Sequence, residues 1–228
     1  MTRTLVSGDW HLGTYSPPAH RALALGFLRW AAQAGDQIVL NGDIFEGLFE
    51  SPARGERAHP EVAALIGDLT ARGALRRTQG NHDPDGGVAS LVLQHAVLGR
   101  VLVAHGHLAD PVHVSSVGNF GDGISRRLGH LRLVRGAAWM AESVVAGTLA
   151  GPVDRLFRRR CLALMEREGC GFGIFGHNHR RHLVPGDPYA NAGRLLQARL
   201  EYLVLDDTGP SLRDFTVGGA AAGVVAAS

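Results

Sequence analysis

Five short apolar runs in this chain each lead directly into a motif built from metal-binding side chains. The runs are Leu5-Val6, Ile38-Val39-Leu40, Leu75 to Thr78, Val101-Leu102-Val103 and Phe172 to Phe175. The motifs that follow them are Asp9-Trp10-His11, Gly42-Asp43, Gly80-Asn81-His82-Asp83, His105-Gly106-His107 and Gly176-His177-Asn178-His179. Runs rich in Val, Ile, Leu and Phe that end at Gly or Asn read as buried strands. In an α/β protein, ligands gather at the carboxyl ends of such strands. One strand ending in a histidine is an ordinary accident. Five strands ending in carboxylate, amide or imidazole indicate one site drawn from across the chain.

Between these runs the pattern turns helical. Pro17-Pro18 opens a stretch to about Ala34 with Leu25, Leu28 and Trp30 as core contacts, and Gly35-Asp36 ends it. Pro60 to Arg72 reads as a second helix closed by Gly73, and Val88 to Leu98 as a third closed by Gly99. From Gly176 onward the runs His182 to Pro185, Tyr189 to Ala192, Leu200 to Leu205 and Leu212 to Val217 are separated only by turn signals, so they read as strands joined without helices. The expectation is an α/β fold with two packed sheets and helices outside. One domain spans residues 1–217. A mainly helical insertion at about 111–168 interrupts the strand series, and 218–228 is a frayed, small-residue tail.

Composition excludes several classes. With 45% hydrophobic and 19% charged residues among 228, the chain is globular rather than disordered. The net charge of +2 says little about partners. All 23 basic residues are Arg, which reads as coding bias. Cys161 and Cys170 form neither a Cys-x-x-Cys pair nor a disulfide framework, which favours a reducing compartment. No run approaches the roughly 18–20 apolar residues of a spanning helix, and no signal-peptide stretch opens the chain. These features point to a cytoplasmic protein, either soluble or peripheral to the inner face of a membrane.

Carboxylate oxygen and imidazole nitrogen together suit Mn, Fe, Zn or Co. Asp9 and His11, two apart on an extended strand end, share a face and can grip one ion. Asp43 carries two oxygens and can bridge two ions. Asn81 offers a neutral carbonyl oxygen, and His105, His177 and His179 complete the set. Two metals about 3.5–4 Å apart clamp the attacking and leaving oxygens of an in-line displacement at phosphorus and lower the pKa of water toward about 7. The chain has no Gly-x-Ser-x-Gly elbow and no Gly-x-x-x-x-Gly-Lys loop, so acyl-enzyme chemistry and that type of nucleotide hydrolysis are disfavoured.

The ordered set Asp-x-His, Gly-Asp, Gly-Asn-His-Asp, His-Gly and Gly-His-x-His resembles the calcineurin-like metallophosphoesterases, and the likeness runs from Asp9 to His179. The resemblance implies a four-layer α/β/β/α sandwich with a dinuclear centre. One metal would take Asp9, His11, Asp43 and His179, and the other Asp43, Asn81, His105 and His177. His82 would face the phosphoryl group, with Glu46 orienting it or standing as a solvated loop acid. Two divalent ions are implied, Mn foremost, with Fe, Zn or Co as alternatives. The reaction would be hydrolysis of a phosphoester or pyrophosphate by metal-bound hydroxide. His107 reads as an orienting neighbour rather than a ligand, and Asp83 as either a turn brace or a chemical group. Within the family, the stretches Asp9 to Gly13, Gly42 to Glu46, Tyr189 to Gly193 and Tyr202 to Asp207 are most similar to UDP-2,3-diacylglucosamine hydrolases. Those enzymes commonly have Arg where this chain has His82, which fits a broader phosphoesterase better.

The insertion holds eight Arg against three acids between Gly121 and Arg160, interleaved with apolar residues. It reads first as an ordinary helical cap with a solvated Arg face. It reads second as a lid for a phosphorylated, lipid-linked substrate or a contact with an anionic membrane surface, and third as a nucleic-acid contact. The alternatives to a hydrolase of small or lipid-linked substrates are a broad phosphodiesterase or nuclease with the same centre, and a binding module that keeps the metal site without turnover.

Overall fold

Side-chain alternation along the strands sorts this chain into layers. The computed structural model describes residues 3–111 and 150–221. In chain order these form β1 (Thr4–Ser7), α1 (Pro18–Gln33), β2 (Gln37–Asn41), α2 (Pro52–Ala58), α3 (Pro60–Ala71), β3 (Leu75–Thr78), β4 (Leu91–His95) and β5 (Gly99–Val103). A 3₁₀ turn (His107–Ala109) follows, then α4 (Ala150–Arg167), β6 (Phe172–Phe175), β7 (His182–Leu183), β8 (Tyr189–Asn191), β9 (Leu200–Asp206), β10 (Gly209–Thr216) and β11 (Gly219–Ala221). Six strands pair in the order β11-β10-β9-β1-β2-β3 and five in the order β4-β5-β6-β8-β7.

Leu5 of β1, Ile38 and Leu40 of β2, and Tyr202 and Val204 of β9 point to one face, where they meet Leu23, Phe27 and Leu28 of α1 and Val62, Ile66 and Leu69 of α3. Their sequence neighbours Val6, Val39, Leu203 and Leu205 point the other way. There they meet Val101, Val103, Phe172, Ile174 and Ala190 of the second sheet. Leu102, Phe175 and Tyr189 leave that sheet on its far side and pack under Phe157, Cys161 and Met165 of α4. This is a period-2 code read by both sheets, and it yields four layers, α/β/β/α. Each fully buried Leu, Ile or Phe contributes about 1.5–3 kcal/mol, which offsets the entropy of ordering the chain.

Chain direction then gathers the strand ends. β1, β2 and β3 run parallel, as do β5, β6 and β8. The carboxyl ends of β1, β2, β3, β5 and β6 therefore lead into the five motifs.

Two expectations are corrected. The helix expected over Val88 to Leu98 is instead strand β4, antiparallel to β5 through Leu91↔Val103 to His95↔Gly99. The Val and Leu residues of the segment find a sheet edge beside β5, and that pairing overrides the local helix pattern. The His95 ring closes that turn by accepting from the Val97 and Leu98 amides. The tail expected to fray from residue 218 contributes β11, whose backbone pairs with Asp214 to Thr216. Helix α2, opened by Ser51-Pro52, was not anticipated.

Of the proposed insertion at 111–168, residues 112–149 lie outside the described residues. Its final part is α4, with Phe157, Cys161 and Met165 turned inward and Arg155, Arg159 and Arg160 exposed, as a solvated Arg face requires. Both cysteines are free and buried. Among the described residues, no helix is long and apolar enough to cross a membrane.

Candidate metal centre

The backbone at this site is forced into a conformation that side chains ordinarily avoid. Among the described residues, the non-glycine positions with positive φ are Asp9 (53°), His11 (47°), Asp43 (53°), His177 (70°) and His179 (57°). All five are residues the sequence nominated as ligands. A left-handed L-residue costs roughly 1–2 kcal/mol, and such strain persists only where the surroundings over-determine it.

Those surroundings can be named. The Asp9 and Trp10 amides donate to the Gly42 and Asp43 carbonyls, which locks the first motif to the second. The Asp83 carboxylate accepts from the amides of Asp43 (2.8 Å), Ile44 (2.9 Å) and Gly80 (3.1 Å) and from the Arg77 guanidinium (3.2 Å). Asp83 is thus the brace of two motifs at once. The Asp9 carboxylate accepts the His177 amide, and Asp43 Oδ1 accepts that of His82 at 2.9 Å. Asn191 Nδ2 donates to Gly176 O and Asn178 Oδ1, holding the fifth motif. The glycines leave no spare room: a Cβ on Gly80 would stand 2.0 Å from Asp43 Oδ1, and one on Gly176 would stand 2.5 Å from Asp9 Oδ2.

All seven nominated ligands converge. His179 Nε2 lies 3.3 Å from Asp9 Oδ1 and 3.1 Å from His11 Nε2. His105 Nε2 lies 3.1 Å from Asp43 Oδ2 and 3.3 Å from Asn81 Oδ1, which is 3.1 Å from His177 Nδ1. Asp9, His11 and His179 form one donor group and Asp43, His105 and His177 another. Each group takes donors from both sheets. A third group, His11, Asp43 and His82, adjoins them. His107 stands outside these groups, its ring tilted against that of His105.

The outer nitrogens of the two histidines in the second group are also engaged. His105 Nδ1–H donates to the Asn41 carbonyl at 2.9 Å, which makes Nε2 the nitrogen that faces Asp43 and Asn81. His177 Nε2–H donates to Asp110 Oδ2 at 2.7 Å, which leaves Nδ1 facing Asn81. Asp110 was not legible as a site residue, because Leu108-Ala109-Asp110-Pro111 carries no motif. Its role depends on the 3₁₀ turn that brings it back over His177.

No family model matches the chain, and no curated protein is similar to it in sequence. Solved structures do match in shape. A single mutant of Vps29 from Entamoeba histolytica aligns with TM-score 0.52 and 14% identity over 96% of this chain and 96% of its own. A double mutant of the same protein gives 0.52 and 13% over the same shares. The fold is that of the calcineurin-like metallophosphoesterases. YfcE, a phosphoesterase from E. coli, aligns over 99% of this chain and 100% of its own with TM-score 0.49 and 14% identity. At such identities the likeness is one of architecture, and the chemistry has to come from this chain's own site.

The electrostatics of that site are set by buried carboxylates facing imidazoles. Burial, with His82 and His179 nearby, pushes His11 down to about 4, so its ring is a neutral donor. Burial also disfavours charge on His105, but Asp43 and Asp9 outweigh it and raise the ring to about 9. Burial works against Asp43 ionising, yet His105 and His82 hold its carboxyl well below the usual range. Beside the cage, His82 Nδ1–H donates to Glu46 Oε1 at 2.8 Å. Burial opposes a charged His82, and the Asp43 and Glu46 carboxylates overcome this and raise it to about 10. Glu46 is held at about 2: burial opposes its ionisation, but His82 and the Leu48 amide favour it. Glu46 is therefore not a solvated loop acid.

Proposed function

We propose that this chain is a dinuclear metal-dependent phosphoesterase. The carrying observation is the meeting of two adjoining His/carboxylate donor groups at the ends of strands from two different sheets. The donor chemistry fits borderline divalent ions: imidazole nitrogen and carboxylate oxygen with no thiolate suit Mn, Fe, Zn or Co. In this reading Asp9, His11, Asp43 and His179 hold one ion, and Asp43, Asn81, His105 and His177 hold the other. When bound, two such ions supply positive charge to phosphoryl oxygens and lower the pKa of water.

The chain's own groups do the rest. Asp43 supplies the shared carboxylate, and Asp83 fixes the backbone that presents it. Asn41 and Asp110 set which nitrogen of His105 and His177 faces inward. His82 carries a proton on Nε2, 3.9 Å from Asp43 Oδ2, as well as on Nδ1, because the Asp43 and Glu46 carboxylates hold the ring cationic. That arrangement suits it to protonate a leaving oxygen or to hold a phosphoryl oxygen through a charge-assisted hydrogen bond. The UDP-2,3-diacylglucosamine hydrolase likeness rests on the quoted sequence stretches. A UDP-linked acylated sugar is accordingly one substrate to try among monoesters, diesters and pyrophosphates.

The reading is tested by metal analysis with turnover of bis(4-nitrophenyl) phosphate in Mn. Stoichiometric metal without turnover of any phosphoester would favour the binding-module alternative, and empty sites with no Mn-stimulated hydrolysis would sink the proposal. Metal uptake carries its own pH signature. His105 titrates at about 9 in the metal-free protein and must be neutral to ligate. Affinity should therefore rise by about tenfold per pH unit for that proton between pH 6 and 8. Calorimetry in buffers of different ionisation enthalpy reads the released proton directly. Asp110→Ala should weaken metal binding by about 10–100-fold by removing the partner that orients His177 and raises its basicity. A competition assay with a chelator measures it, and unchanged affinity would remove Asp110 from the centre.

A further inference from the structure

A groove of about 530 Å³ is lined by Asp9, His11, Glu46 and His179 of the cage together with Tyr15, Phe49 and Arg194. We propose that Arg194 is an anion-recognising residue of this groove, selecting substrates that carry a second negatively charged phosphate or carboxylate on the arm leading away from the scissile phosphorus. The inference rests on the phosphoesterase reading of the adjoining cage.

Three observations carry it. First, the other charges lining the groove already have partners. Glu46 accepts from His82 and from the Leu48 amide. Glu50, its side chain 4% exposed, accepts from the Thr14 amide and hydroxyl. Among the described residues, no carboxylate lies within ion-pair distance of the exposed Arg194 guanidinium, whereas Arg181 and Arg199, close by in sequence, both reach Glu201 and Asp214. Among the described residues, Arg194 is thus the guanidinium of this groove without a carboxylate partner.

Second, Arg194 is held at a fixed place relative to the cage. Its amide donates to Glu201 Oε2 at 3.2 Å, and the next amide, that of Leu195, donates to the Asp9 carbonyl at 3.3 Å. Before it, Gly193 turns with φ 83°, where a Cβ would stand 2.2 Å from Glu201 Oε2. Asn191 Oδ1 accepts the Gly193 amide while its Nδ2 holds the loop of His177 and His179. One short segment therefore braces the cage and presents the guanidinium. Third, the chemistry matches. A guanidinium forks onto phosphate or carboxylate through two parallel N–H bonds, and Arg194 lines the same groove as Asp9, His11 and His179.

The test compares two substrates and one pair of ligands. In Mn, Arg194→Ala should lower kcat/KM for ADP-ribose by about 30-fold, mostly through KM, while bis(4-nitrophenyl) phosphate changes less than twofold. Charge-assisted hydrogen bonds of this kind justify a change of about 10–100-fold. Independently of turnover, calorimetry on the Mn-loaded protein should show Arg194→Ala binding adenosine 5′-(α,β-methylene)diphosphate at least tenfold more weakly, with inorganic phosphate unaffected. Arg194→Lys should recover part of the loss. Equal losses on both substrates, or no loss on either ligand, would overturn the role of Arg194. Wild-type hydrolysis of the diester with no measurable binding of the diphosphate analogue would also overturn it, while leaving the phosphoesterase reading intact. Failure of the wild type on every phosphoester would strike that reading instead, and the binding arm would still decide Arg194.

Discussion

Asp43→Asn is expected to lower kcat/KM on an activated diester by about 1,000-fold or more and to leave the protein with less than its full metal complement. Asp43 Oδ2 is the carboxylate oxygen placed 3.1 Å from His105 Nε2 and 3.9 Å from His11 Nε2, between the two donor groups. Replacing it by an amide removes the charge that both ions would share. The metals' electrostatic contribution to phosphoryl transfer is worth several kcal/mol. The amide keeps the shape, so the fold should survive, and circular dichroism separates loss of the site from loss of the fold. Metal content by plasma spectrometry and single-substrate kinetics give the result. Full turnover in this variant would discard the dinuclear mechanism.

His82→Ala should cut kcat by about 100- to 10,000-fold, the range of a lost general acid, while metal content stays near that of the parent. The separation matters, because His82 also stands within donor distance of His11 and Asp43. If its removal empties the site, it is a ligand and not the proton-bearing group. Glu46→Gln provides the graded companion. Glu46 favours the protonated ring, so losing its charge lowers the His82 pKa. The alkaline limb of the pH–rate profile should then move to lower pH with only a modest change at the optimum. A purely structural Glu46 would depress the whole profile without moving that limb.

The centre was legible in the sequence because its geometry is local. Each motif sits within a few residues of the strand that aims it, and Asp-x-His or Gly-Asp needs no distant partner to be recognised. The two-sheet order from Gly176 onward was legible for the same reason: turn dipeptides separate the strands. What failed was whatever depends on a sheet or tertiary partner outside the motif itself. Val88 to Leu98 has helix length and Leu/Val content, and only pairing with β5 makes part of it a strand. Asp83 could have been catalytic until its carboxylate was seen serving four amides and Arg77. Asp110 reaches His177 across 67 positions, and no spacing rule reports that. Arg194 was passed over as one arginine among many, since only the occupied partners of its neighbours single it out.

The mixed origin of the two donor groups has a consequence for how the molecule comes together. Asp9 and His11 hang from one sheet while His179 hangs from the other, and Asp43 is likewise divided from His105 and His177. In the proposed arrangement neither ion has its full set of ligands until the two sheets have docked. Bound cations would act as rivets across the seam, linking ion uptake to closure of the sandwich.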